Sequence, residues 1–197
     1  DNQTQGFGSG GGIYNNRFLS VWDSTFSDNL AFGGGAILNS NNPVTEITNS
    51  TFSGNGYGDE GGAIHNTHGP ITLTNNPFSG NNADTGSDIQ LQNSTLNYAN
   101  NIMANSGPGA ACYLSGGSLG TNSNNLIEGG GNCAAALSAD PNLGPLADNG
   151  GPTPTFALQS GSPAINAGDA ATCADAATVN NLDQRGVARP QGAGCDI

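Results

Sequence analysis

The chain of 197 residues has three Arg and no Lys, one Met, one Trp and only 9% charged residues, and it carries a net charge of -12. Without a basic surface it offers nothing for nucleic acid to bind, and its charge opposes attraction to anionic lipid. No apolar run approaches the roughly 20 residues needed to span a bilayer, so this segment does not insert into a membrane. Nothing resembles a signal peptide, as expected of a secreted protein in mature form. The chain also lacks apolar residues at i, i+3, i+4 and i+7 over any length that would make a substantial helix. Cys and His are absent at zinc-binding spacings.

What the chain has in abundance is Gly, 32 residues, together with a phased repeat. Phe26-Ser27-Asp28-Asn29, Phe52-Ser53-Gly54-Asn55 and Phe78-Ser79-Gly80-Asn81 repeat at 26-residue intervals. In step with them, Gly-rich turns lead into Ile13, Ile37 and Ile64. Between the markers, Val44-Thr45-Glu46-Ile47-Thr48 and Ile71-Thr72-Leu73-Thr74 alternate as half-buried strands do. The phase continues through Ile102 and Leu126 after the Phe residues and through Ile89 and Tyr113 after the Ile residues, so the repeat covers residues 1–137.

A unit of about two dozen residues is too short for a propeller blade and suits one turn of a parallel β-helix. The expected fold is all-β, a right-handed parallel β-helix (solenoid) of about five to six coils. Equivalent residues then stack about 4.8 Å apart. Phe26, Phe52 and Phe78 form one interior column, prolonged by Ile102 and Leu126, and Ile13, Ile37, Ile64 and Ile89 form another. Asn29, Asn55 and Asn81 form an amide ladder at a turn. Asn49 and Asn75 make a second ladder, prolonged by Asp23.

The four cysteines fall as two near pairs, Cys112 with Cys133 and Cys173 with Cys195. Three pairings are formally possible, and the sequential one closes the shortest loops. Cysteine used in this way points to an oxidising, extracytoplasmic compartment, hence to a secreted, extracellular or cell-surface protein. From residue 138 the phase is lost and Ala and Pro become frequent. Residues 138–197 read as a Pro/Gly/Ala-rich capping wrap over the last coil, too rich in Pro for a central strand.

That wrap carries the runs Asp140-Pro141-Asn142-Leu143-Gly144-Pro145-Leu146-Ala147-Asp148-Asn149-Gly150-Gly151-Pro152, Gly161-Ser162-Pro163-Ala164-Ile165 and Asp183-Gln184-Arg185-Gly186-Val187-Ala188-Arg189-Pro190, and it ends in Cys195-Asp196-Ile197. It closely resembles the C-terminal part of bacterial choice-of-anchor Q proteins. The repeats upstream resemble those of chlamydial polymorphic membrane proteins and other bacterial surface β-helices. The resemblance implies a secreted or surface-anchored right-handed β-helix and no catalytic residues. Aligning the Gly-Ile turns, with three extra residues allowed before Gly11, sets Asp1-Asn2 opposite Asp28-Asn29, so the chain is expected to open inside a repeat and to be part of a longer precursor. Its expected partners are a second copy of itself stacked end to end, upstream coils of the same precursor, or polysaccharide.

Catalysis on polysaccharide is the enzymatic alternative, since a polysaccharide-binding or polysaccharide-cleaving module can be built on a β-helix. A lyase needs a base and cations against uronate, yet Lys is absent, Arg185 and Arg189 lie in the wrap, and Arg17 has no phased acid. A hydrolase needs two carboxylates roughly 5–10 Å apart, whereas Asp23 falls opposite Asn49 and Asn75, and Glu46 opposite Thr72. His65 and His68, near Asp59 and Glu60, are expected as exposed turn histidines rather than metal ligands. No cofactor is expected; calcium is the one cation considered, through Asp84, Asp88 and Asn-rich turns. Asp183 and Arg185 are expected to tie loops of the wrap together. Trp22, Tyr14, Tyr57 and Tyr98 are out of register and expected as scattered surface aromatics. A Thr array of the ice-binding kind is interrupted where Thr25 and Thr51 give way to Pro77.

Overall fold

The structure, a computed structural model, describes residues 10–197, so the expectation for Asp1-Asn2 lies outside the described residues. Most strands are short because Gly and Asn interrupt the chain at the corners of the coil, and only Ile64–Thr74 and Ile89–Ala99 among the described residues reach 11 residues. The first coil lays down β1 (Ile13–Asn15), β2 (Leu19–Trp22) and β3 (Thr25–Ser27), and the second β4 (Ile37–Asn39), β5 (Thr45–Thr48) and β6 (Thr51–Ser53). The third gives β7 (Ile64–Thr74), β8 (Pro77–Ser79) and β9 (Asn82–Ala83), the fourth β10 (Ile89–Ala99), β11 (Ile102–Ala104) and β12 (Gly107–Pro108), and the fifth β13 (Cys112–Ser115), β14 (Ser118–Ser123) and β15 (Leu126–Ile127). Every strand pairs in parallel with its equivalent one coil away, as in β1-β4-β7-β10-β13 and β3-β6-β8-β11-β15. The chain is therefore a parallel β-solenoid, as its repeat requires.

Interior columns follow from that register. Phe26 lies over Phe52 and Phe52 over Phe78, with ring centroids 5.0 and 4.6 Å apart and planes within 3° and 7° of parallel. The strand spacing imposes this stacking. Below Phe78 the column continues through Met103 and Ile127, not through Ile102 and Leu126, because the coils shorten by a residue at a time. Ile102 and Leu126 point outward instead, where Ala164, Leu143, Leu158 and Ile197 of the wrap cover them. In the second column Ile13, Ile37, Ile64 and Ile89 are in register, but Cys112 follows them and Tyr113 is turned out to solvent.

Amide ladders close the corners. Asn29 Nδ2 donates to Asn55 Oδ1 at 3.0 Å and Asn55 Nδ2 to Asn81 Oδ1 at 3.0 Å, and Asn55 Nδ2 also reaches the Phe26 carbonyl. The second tight ladder lies one residue past the expected one, with Asn76 donating to Asn101 at 3.0 Å and Asn101 to Asn125 at 2.9 Å. Asn49 and Asn75 touch only at 3.4 Å, because their side chains lean out of the coil. At Gly62 a Cβ would come within 2.0 Å of the Ser87 carbonyl of the next coil, and at Gly35 within 2.2 Å of the Gly62 carbonyl, which explains glycine at these positions before Ile64 and Ile37.

The last coil and the wrap depart from the expected arrangement. Residues 131–137 cut from β13, where Gly131 bridges Cys112, to β15, where Leu137 bridges Leu126, and so cross the end of the stack. Cys112–Cys133 pins this crossing into the core, and Tyr98 donates its hydroxyl to the Ala134 carbonyl beneath it. Residues 138–197 do not sit over the last coil. They climb the side of the solenoid to the first one, where Thr25 Oγ1 donates to the Pro154 carbonyl and Gln184 Nε2 to the Ser24 carbonyl. Apolar outward residues such as Ile102 and Leu126 make that lateral face the sticky one. Cys173–Cys195 closes the second loop, so both expected pairings are present. The sole α-helix among the described residues, α1 (Ala170–Ala174), is capped by Asp169, and no helix there is long and apolar enough to cross a membrane.

Because Phe52 is fully buried between two rings, Phe52→Ala should cost about 3–5 kcal/mol of stability. Phe26→Ala, at the half-buried end of the column, should cost roughly half as much. Urea unfolding midpoints of the two variants check the ranking; equal losses would mean that the column does not carry the core.

Candidate binding cavity at the wrapped corner

Where the chain passes from the first sheet to the second, every coil carries Asp or Asn in the left-handed region. Asp23, Asn49, Asn75, Asn100 and Asn124 have φ of 47°, 48°, 55°, 55° and 47°. Asn and Asp tolerate that region better than other side-chain-bearing residues, and the bend turns their side chains out toward the wrap. Asn49 Nδ2 donates to the Leu182 carbonyl at 3.3 Å and Asn124 Nδ2 to the Ala167 carbonyl at 2.8 Å. Asn100 Nδ2 donates to the Asp169 carbonyl at 3.3 Å, and Asn100 Oδ1 accepts from the Asp169 N–H at 2.7 Å. The wrap thus runs along a column of amides. At Asn75, in the middle, the contact is missing: its Oδ1 is buried with no hydrogen-bond partner among the described residues.

At this gap a cavity of about 330 Å³ separates wrap from solenoid. Pro77 and Ile102 form an apolar floor on the solenoid side, and Leu158 and Phe156 face them from the wrap. Two of the chain's three cationic side chains, Arg185 and Arg189, line it, together with Asp183 and Asp196. Asp183 is fully engaged. Its Oδ1 accepts the N–H groups of Arg185 and Val187 at 2.9 and 3.0 Å, and its Oδ2 accepts from Arg185 Nε and Nη2 at 2.9 and 2.6 Å. Arg185 Nη1 then reaches the Asn149 carbonyl at 3.2 Å, so the pair ties two loops of the wrap. Asp196 Oδ1 accepts from the Asn166 N–H at 2.7 Å. Arg189 donates through Nη2 to the Asp196 main-chain carbonyl; burial lowers its pKa, against the attraction of Asp196 and Asp183.

Sequence reasoning singled out Asp183 and Arg185 and left Arg189 as one of two cations in the wrap; the participation of Asp196 was missed. The signal was present in part, since Arg189 lies four residues past Arg185 in one distinctive run. Nothing in the spacing could show that both return to the amide corner.

Other candidate residues are dispersed. Asp23 lies at the same corner, and its pKa is raised by burial, which outweighs a hydrogen bond from Asn49, with Asp183 adding repulsion. Glu46 is in register with Thr72, and Arg17 sits in an exposed turn beside Asn15. His65 is not an exposed turn residue: it lies in β7 and is only 7% exposed, covered by Glu60 and by Gln90 of the next coil. Its Nε2 is 3.6 Å from Glu60 Oε2, and burial lowers its pKa more than Glu60 raises it. His68 is exposed at φ 59°, apart from this pair. Tyr14, Trp22 and Tyr57 are exposed as expected, but Tyr98 is in the core, because its register sets it under Leu73.

Asp84 and Asp88 do not converge. Asp84 is exposed, whereas Asp88 takes the interior position held by Ala36, Ala63 and Ala111 in neighbouring coils. Ser106 stands where the next Asn of the first ladder would be, and Asp88 Oδ1 ends that ladder by accepting from Asn81 Nδ2 at 2.8 Å and Ser106 Oγ at 2.6 Å. Its Oδ2 has no partner among the described residues. Burial pushes the carboxyl up to about 7, against the two hydrogen bonds that lower it. Among the described residues no three His, Cys, Asp or Glu side chains cluster as a metal site.

No family model, no curated protein and no solved structure matches this chain.

A raised carboxyl pKa means that the folded state binds the proton more tightly than the unfolded chain. The stability contributed by Asp88 is therefore full below about pH 4 and is lost as pH rises through about 7. The span is on the order of 4 kcal/mol. Asp88→Asn, which removes the charge but keeps an acceptor for Asn81, should be more stable than wild type at pH 8, with the gap closing toward pH 5. Taking the difference between the two proteins removes the opposite contribution of His65, whose lowered pKa makes stability fall as pH drops below 6.5. Urea midpoints at pH 5, 6, 7 and 8 check this, and a gap that does not change with pH would contradict it.

Proposed function

We propose that this chain is a non-catalytic extracellular scaffold with a mechanical or adhesive task, part of a bacterial surface protein or of an extracellular fibre. The observation that carries the proposal is the lateral strap. The wrap is hydrogen-bonded to the first, second, fourth and fifth coils, through Gln184, Asn49, Asn100 and Asn124, and two disulfides fasten its lower end and the end of the stack. Such strapping resists the peeling of one coil from the next, which is how a parallel stack yields to force. It suits an oxidising environment, in which both disulfides persist. The resemblance of the wrap to choice-of-anchor Q proteins points the same way.

The acids of the cavity favour structure over catalysis. Both oxygens of Asp183 are committed to the turn and to Arg185, and one oxygen of Asp196 holds the Asn166 N–H. A glycosidase of the ordinary kind needs one carboxyl to donate a proton and another to receive one. The purified protein should therefore release no reducing or unsaturated ends from pectin or alginate above a heat-killed control. Release abolished by Asp183→Asn would overturn the scaffold reading.

Assembly distinguishes its two forms. Among the described residues β1, β2 and β3 pair on one side only, and an open edge is a template for pairing. The opposite end, crossed by residues 131–137, is a different surface, so end-to-end contact would be heterologous and would propagate into a fibre. Electron microscopy of the purified protein should show filaments if the fibre form holds; monodisperse single particles at every concentration would eliminate it.

A further inference from the structure

On the outer face of the solenoid Leu38, His65, Gln90 and Tyr113 are in register as one column. Glu60 reaches this column from the turn before β7, where bridges to Gly33 and Thr85 fix its main chain to the coils on either side. His65 and Gln90 are 7% and 3% exposed, yet His65 Nε2 and Gln90 Oε1 have no hydrogen-bond partner among the described residues. The Glu60 carboxylate lies against both side chains: Oε2 is 3.6 Å from His65 Nε2, and Oε1 accepts from Gln90 Nε2 at 3.1 Å. Three groups rich in lone pairs thus meet at one place. We propose that Glu60, His65 and Gln90 bind one divalent transition-metal ion of the zinc type.

The spacing carries the argument. A separation of 3.6 Å is too long for a hydrogen bond between His65 and Glu60. It is close to the separation of two ligands on one metal, since donors about 2.1 Å from a tetrahedral zinc lie about 3.4 Å from each other. Turning the Gln90 amide over sets Oε1 in the place of Nε2, 3.1 Å from the carboxylate, where it becomes the third donor. Both orphaned atoms are closed to solvent, but the cover over His65 Nε2 is the carboxylate itself, and the Glu60 side chain is 40% exposed. An ion enters as that side chain swings out and is held when it returns. Imidazole together with oxygen donors suits zinc and its neighbours, whereas calcium and magnesium take six or more oxygens. The net charge of -12 favours a cation. Two residues of the His, Cys, Asp or Glu kind and one amide are fewer than a closed structural site has, so water completes the coordination. A bound ion ties the turn at Glu60 to the third and fourth coils, and this inference does not depend on the scaffold reading.

The test is calorimetric titration of the full chain, first freed of metal by a chelator, with ZnCl2, together with thermal unfolding in its presence and absence. Zinc should bind saturably at one site and raise the unfolding temperature, as a ligand of the folded state does, and an equal concentration of CaCl2 should not displace it. Glu60→Gln and His65→Gln should each weaken zinc binding about tenfold, which is about 1.4 kcal/mol. His68→Asn should leave it unchanged, and Asn accepts the positive φ of position 68. Unfolding scans without zinc establish that the variants are folded; if His65→Gln is not, Glu60→Gln, at a partly exposed position, carries the comparison. No saturable zinc binding, binding that the folded Glu60→Gln variant leaves unchanged, binding lost in His68→Asn, or displacement by equal calcium would each overturn the proposal.

Discussion

Everything in this molecule depends on identical geometry from coil to coil, and hydrogen bonds running along the solenoid axis enforce it. A parallel ladder fixes register only where strands exist, and between the strands the corners of every coil have none. Amide ladders supply the rest. Asn29, Asn55, Asn76 and Asn101 each donate to their equivalent in the next coil, and Asn55, Asn76, Asn81, Asn101 and Asn125 also donate to a main-chain carbonyl of the coil before. Burying such amides is affordable only when every rung is filled, since an unpaired one in a dry interior is expensive. Where the first ladder meets Ser106 instead of Asn, the core accepts an Asp in a column of alanines to finish it.

The same chemistry explains the low charge. A stack that repeats every coil would place like charges about 4.8 Å apart wherever a repeat position was ionisable. Asn does the same hydrogen bonding without that repulsion. Acids consequently appear singly, as at Asp23 above Asn49 and at Glu46 beside Thr72, and the wrap, which does not repeat, holds the two ion-paired or buried Arg side chains. Net charge of -12 accumulates outside the columns.

Much of the fold was legible because periodicity is a property of the sequence itself. The Phe and Ile columns, the Asn29-Asn55-Asn81 ladder and both disulfides follow from spacing. The errors in the two apolar columns have one source. Coils of 26, 25 and 24 residues drift, so an interval counted from Phe78 lands on Ile102 when the interior residue is Met103, and a slip of one residue turns a side chain from core to surface. Both candidates were apolar, and the wrap makes the outward one buried as well, so hydropathy could not separate them. The wrap itself has no period, and its path up the side of the solenoid is written in contacts such as Gln184 with Ser24, which no local pattern encodes.

The corner Asn column shows how one constraint serves two ends. Positive φ is needed there so that the chain can leave one sheet for the next, and Gly would meet that need more cheaply. Asn instead keeps an amide on the outside of four of the five bends, Asp23 holding the first, with a donor and an acceptor at coil spacing. A chain lying along such a row finds hydrogen-bond partners at regular intervals, and the wrap uses three of them. Because the wrap has no repeat of its own, it cannot match every rung, and the mismatch falls at Asn75. A cavity lined by amide, guanidinium and carboxylate groups is thus a consequence of laying an irregular segment along a regular one: the register error that opens the space also leaves Asn75 Oδ1 without a partner among the described residues.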